Sequence, residues 1–145
     1  MQSQLTYTSP AERPHHLPAL QQLLNAAEHY FRHQARHNQS SNLRRQLTLL
    51  QQLHQHTVLL LPAAPEAAAP QDSRIVALRQ FYLATEQEIN SPAALAQLRL
   101  QLNKQLQWQK KLLRSQQLGP CHTVLLHFTA SLQMAADQLA LRLHH

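Results

Sequence analysis

The chain has 145 residues, with 13 Lys and Arg against 7 Asp and Glu, a net charge of +6 and a pI near 10.3. Its single glycine, Gly119, excludes a compact β fold, because the tight turns of such folds need positive φ and glycine supplies most of it. With Leu and Gln abundant and β-branched and aromatic residues scarce, the composition predicts one all-α domain of ordinary size.

Cys121 stands alone, which rules out an intrachain disulfide and a thiolate zinc cage and fits a reducing compartment. The opening residues lack the basic region and apolar core of a secretory leader. No stretch nears the ~20 apolar residues of a membrane span. The expectation is a soluble, cytoplasmic protein with no membrane partner, whose basic balance suits an acidic one.

Residues 1–16 are polar, contain prolines and read as a flexible lead-in. From about Leu17 to His37, Leu20, Leu23, Leu24, Ala27, Tyr30, Phe31 and Gln34 recur at spacings of three and four, the pattern of an amphipathic helix. The run Asn38–Asn42 breaks it, with Ser41 or Asn42 as the next N-cap. A second helix from Leu43 to about Leu61 presents Leu43, Leu47, Leu50, Leu53 and Val58 to the core. Residues 62–70 hold three prolines among alanines and read as a linker.

Asp72 or Ser73 caps a third helix reaching about Asn90, buried through Ile75, Leu78, Phe81, Tyr82 and Ile89. Ser91 followed by Pro92 opens a fourth helix, and Gly119-Pro120 closes it after Gln117. The last runs from about Cys121 to Leu143 along Val124, Phe128, Leu132, Ala135 and Leu139. The sum is five amphipathic helices in a single bundle. The linker divides a two-helix part from a three-helix part. Two helices bury too little surface to stand alone, so one shared core is expected.

The fourth helix carries the most informative charge pattern. No acidic residue lies between Glu88 and Asp137. At about 100° per residue, with Arg99 at zero, Lys110, Arg114, Lys111 and Lys104 fall at roughly 20°, 60°, 120° and 140°. Leu95, Leu98, Leu102, Leu106 and Leu113 occupy roughly 260–340°. Cations gathered in one arc without carboxylates form a positive stripe open to an anionic partner. Trp108, at roughly 180°, borders that stripe. It is either an aromatic plane for a base or a peptide ring, or a core residue at the helix boundary. Arg32 and Arg36, one helical turn apart, and Arg44-Arg45 add to the positive surface.

Other constellations carry less. His29, His33 and His37 repeat at i, i+4, i+8, a spacing that can serve a transition metal. Only Glu28 could add a carboxylate, and it points about 100° away from His29. The face therefore reads as polar, gaining charge below about pH 6.5, with no metal and no cofactor. Glu86 and Glu88 point about 200° apart and cannot act as a pair on one substrate. Cys121 and His122 lack an orienting third group. One glycine permits no phosphate-cradling loop. The chain does not read as an enzyme.

The segment LNKQLQWQKKLLR (Leu102–Arg114) resembles the C-terminal stretch of the primosomal replication-restart protein PriC family, where a Leu-rich helix meets an aromatic and then several cations. HYFRHQARHNQSSNLRRQLTLLQQL (His29–Leu53) and SRIVALRQFYLATEQEIN are similar to earlier helices of that family. The pattern departs at Gln109, where the family has glutamate, and the last helix is more apolar. The resemblance implies a small basic helical protein that binds DNA, single-stranded or forked, and the acidic tail of single-stranded DNA-binding protein. It would act in reloading the replicative helicase. By that resemblance Trp108, Lys110, Lys111 and Arg114 make the contacts. The rival reading is a helical protein-interaction module, such as a secretion chaperone or assembly subunit, holding a partner helix against its leucine stripes.

Overall fold

Helix boundaries in this chain are set by short polar side chains. The computed structural model describes residues 13–62, 73–84, 88–115 and 118–143. Among the described residues there are five helices and no strand: α1 (Arg13–His37), α2 (Ser41–Leu60), α3 (Ser73–Leu83), α4 (Pro92–Ser115) and α5 (Cys121–Leu143). Most of the expected lead-in and of the 62–70 linker lie outside the described residues. Leu61 is buried and the Pro62 carbonyl accepts from Gln21 Nε2, so the chain leaves α2 tied to α1.

α1 starts at Arg13, before the expected Leu17. Pro14 and Pro18 sit in its first two turns, where the missing N–H groups cost at most one ladder bond. Between α1 and α2, Asn38 Oδ1 accepts from the Ser40 backbone N–H at 2.9 Å, and Ser40 Oγ accepts from the Leu43 N–H at 3.3 Å. The cap is thus Ser40, one residue before the expected Ser41 or Asn42. The Asn38 turn leaves Ser40 extended, as an N-cap requires.

The third helix also differs from expectation. Helix α3 ends at Leu83, whereas the periodicity ran on to Asn90. Ile89 is buried as expected, but in irregular chain. Its N–H donates to Gln34 Oε1 at 3.2 Å and its carbonyl accepts from Asn38 Nδ2 at 2.8 Å. These bonds, from α1 and the turn that follows it, replace the ladder that a longer helix would have supplied. Ser91 Oγ then caps α4 through the Ala94 N–H at 3.1 Å, with Pro92 first in the helix. α4 stops at Ser115, and Gly119, at φ +57°, turns the chain into α5.

α1 packs along α2 and α3, and α5 along α2 and α4, while α3 touches α4 lightly. Tyr30 meets Phe81 and Tyr82 while Gln34 and Asn38 reach Ile89, so α3 runs parallel to α1. Successive helices along the chain therefore alternate in direction, and they close a ring in the order α3, α1, α2, α5, α4, in which α3 and α1 are parallel neighbours. One continuous core fills it, with Phe31, Tyr82, Leu47, Leu50, Leu98, Leu102, Leu106, Leu125 and Leu132 nearly or fully enclosed. Phe31, Tyr82 and Phe128 pack around the His54 ring or one another at centroid distances of 5.1–5.6 Å. No helix among the described residues is long and apolar enough to cross a membrane.

Candidate nucleic-acid interface

The outward face of α4 follows from helical geometry alone. Lys104, Lys110, Lys111 and Arg114 are exposed and Arg99 is half-buried. Among the described residues none of the five forms a salt bridge. Lys110 Nζ donates to Gln133 Oε1 on α5 at 3.0 Å, and Gln133 in turn donates to Asp137 at 3.1 Å. The positive row runs along α4 for about 22 Å from Arg99 to Arg114, at 1.5 Å per residue.

The buried side of α4 is wider than its leucine row. It includes Gln101, Gln105, Trp108, Gln109 and Leu112, because α5 and the core beneath cover the helix on two sides. Trp108 is 7% exposed. Of the two readings left open for it, the structure takes the core one. It does not stand beside the lysines as a stacking plane, and its place among the contact residues is corrected accordingly.

The other cations do not join this row. Arg32 pairs with Glu28 one turn earlier, a buried carboxylate that also accepts from Gln51 Nε2 at 2.7 Å. Arg44 donates to the Asn38 and Gln39 carbonyls at 3.0 and 3.3 Å, closing the C-terminal end of α1. Arg36 and Arg45 are exposed. All four sit on the α1–α2 side of the ring, across the bundle from the outer face of α4. The expected single positive surface is therefore two surfaces.

Behind the α4 face lies a chain of buried polar groups that helical periodicity did not reveal. His54 Nδ1–H donates to the Leu50 carbonyl at 2.7 Å, which leaves Nε2 to accept from the Gln105 amide at 3.0 Å. Gln105 Oε1 accepts from the Tyr82 hydroxyl at 2.6 Å. The second amide hydrogen of Gln105 goes to Gln109 Oε1 at 2.9 Å, and Gln109 donates to Thr129 Oγ1 at 2.9 Å. The chain joins α2, α3, α4 and α5, and both ends of the Gln105 amide are satisfied. Burial lowers the His54 pKa to about 4, outweighing the raising effect of its hydrogen bonds and of Glu28, and raises that of Tyr82. The sequence did contain a signal: Gln109 falls inside the leucine arc of α4 and Gln105 at its edge, and His54 inside that of α2.

His54 has no exposed surface and reaches no dissolved substrate. Among the described residues no group of three His, Cys, Asp or Glu is placed to hold a metal ion. An open cleft of about 480 Å³ lies where the α1–α2 turn meets the start of α4, lined by His37, Asn38, Glu88, Ile89, Asn90 and Leu95 among others. The chain matches no family model, no curated protein and no solved structure.

Proposed function

We propose that the protein is a non-enzymatic helical adaptor that binds nucleic acid through the outer face of α4. The observation that carries the reading is the row of Lys104, Lys110, Lys111 and Arg114, exposed and without ion pairs among the described residues, on a helix with no carboxylate. With Trp108 buried, the face offers charge without stacking, so it reads phosphates rather than bases. The similarity to the PriC family supports a more specific assignment. In it the ligand is single-stranded or forked DNA, the protein partner is an acidic tail such as that of single-stranded DNA-binding protein, and the role is cytoplasmic replication restart.

Fluorescence anisotropy against labelled single and double strands tests this. If these cations each meet one phosphate, log affinity falls with log salt at a slope of about −3.6 for duplex and about −2.8 for single strand. That is roughly a 150-fold or 50-fold loss between about 50 and about 200 mM salt. Reversing Lys111 and Arg114 to Glu weakens binding and lowers the slope by about one per lost contact, with stability changed by no more than about 0.5 kcal/mol per site. Unchanged binding to DNA and RNA reduces the row to a solvated face. The exposed apolar residues Leu59 (76%) and Met134 (68%) favour the second reading, a protein-interaction module. Association driven by apolar burial is insensitive to salt and separates the two.

A further inference from the structure

We propose that His33 and His37 form an exchangeable site for a borderline transition-metal cation such as Zn²⁺, Ni²⁺ or Cu²⁺. Spacing alone argued against a metal here, because no acid completes the ligand set. The hydrogen bonding of His37 adds what spacing lacks. The two imidazoles lie side by side on the last turns of α1, with centroids 4.2 Å apart and planes inclined by 33°. His37 Nδ1 is 2.8 Å from the His33 backbone carbonyl, a group that can only accept. The proton is therefore on Nδ1, and the lone pair of Nε2 is free for a metal. A backbone carbonyl holding the other ring nitrogen is how metal-ligating histidines are oriented.

An ion sits 2.0–2.1 Å from each imidazole nitrogen. A tetrahedral angle then needs the two nitrogens about 3.3 Å apart with the ion in both ring planes, so the two rings swing apart from their 4.2 Å centroid spacing to converge on it. His37 is exposed and His33 half-buried, so an ion can reach them. They also lie at the C-terminal end of a 25-residue helix, where the carbonyl ends of the peptide dipoles favour a cation. Arg36 is adjacent and opposes a dication, Arg44 is occupied with the Asn38 and Gln39 carbonyls, and Glu88 shares with His37 the cleft at the end of α1. Two imidazoles without a third protein ligand among the described residues leave the other positions to water. Such a site exchanges its ion and does not hold the fold together. Its nitrogen ligands select against Mg²⁺ and Ca²⁺, which require oxygen.

The test is calorimetric titration of the full chain with ZnCl₂, alongside His33→Gln, His37→Gln and the control His56→Gln on exposed α2 surface. Either site substitution is expected to weaken the tightest Zn²⁺ equivalent by at least the roughly 10–100-fold that losing a supporting partner costs, while H56Q leaves it unchanged and MgCl₂ gives no signal. NMR of the unmodified chain provides a second readout: Zn²⁺ should shift the ring protons of His33 and His37 ahead of the other histidines. Unchanged Zn²⁺ affinity in H33Q and H37Q, or first shifts at other histidines, overturns the assignment.

Discussion

Acidification should destabilise the bundle through His54, and the size of the effect can be worked from the ring's surroundings. The imidazole is fully enclosed, with Phe31 and Phe128 rings at 5.2 and 5.1 Å. Its Nε2 accepts from an amide nitrogen, so a proton there would face the N–H of Gln105. Rotating that amide would strand the Tyr82 hydroxyl and Gln109. The folded state therefore holds the ring neutral, with its pKa lowered to about 4 from the usual 6.5. Because the folded pKa is the lower one, the unfolded chain takes up the proton first. Stability is complete above about pH 6.5 and is lost as pH falls from there towards about 4. At about 1.4 kcal/mol per unit, the full effect is about 3 kcal/mol, a large share of a typical domain's stability.

The comparison that isolates it is urea unfolding of the wild type and His54→Leu at about pH 7.5 and about pH 4.5. The other ten histidines are common to both chains and cancel. At the higher pH the variant is the less stable, by about 1–3 kcal/mol for the unmet Gln105 donor. At the lower pH the gap should close or reverse, because only the wild type has a buried imidazole to protonate. A gap that stays constant across this range would refute the assignment of His54 as a buried neutral base.

Gln105→Leu keeps the volume but strands His54 Nε2, the Tyr82 hydroxyl and Gln109 Oε1, and should cost about 3–9 kcal/mol in chemical denaturation at about 1–3 per unmet group. Combined with Tyr82→Phe, its cost should fall short of the sum by about 0.5–3 kcal/mol; simple additivity would show that the hydroxyl and amide act independently. Trp108→Ala should cost about 3–5 kcal/mol of stability and leave the DNA affinity of the folded fraction unchanged. A loss of ~1–3 kcal/mol in binding with stability intact would return Trp108 to the interface.

The sequence by itself determined what depends on chemistry within a few residues. Pro92 after Ser91 starts α4 because a proline lacks only a donor that the first turn does not use. Gly119 turns the chain because it alone adopts φ +57° without strain. The exposure of Lys104, Lys110, Lys111 and Arg114 needed only 100° per residue and the direction of the leucines. Periodicity failed wherever a group from another helix supplied the bond. Ile89 left the helix because Gln34 and Asn38 took its backbone donor and acceptor. Gln105, Gln109 and His54 would ordinarily face water, since burying an unpaired polar group costs several kcal/mol. They are inside because each meets a partner from a different helix. The packing order of the helices also decided that Arg32, Arg36, Arg44 and Arg45 lie across the bundle from the α4 row, and that Trp108 is covered. A helical pattern fixes the direction of a side chain about its own axis; only the neighbouring helices decide whether water or protein waits there.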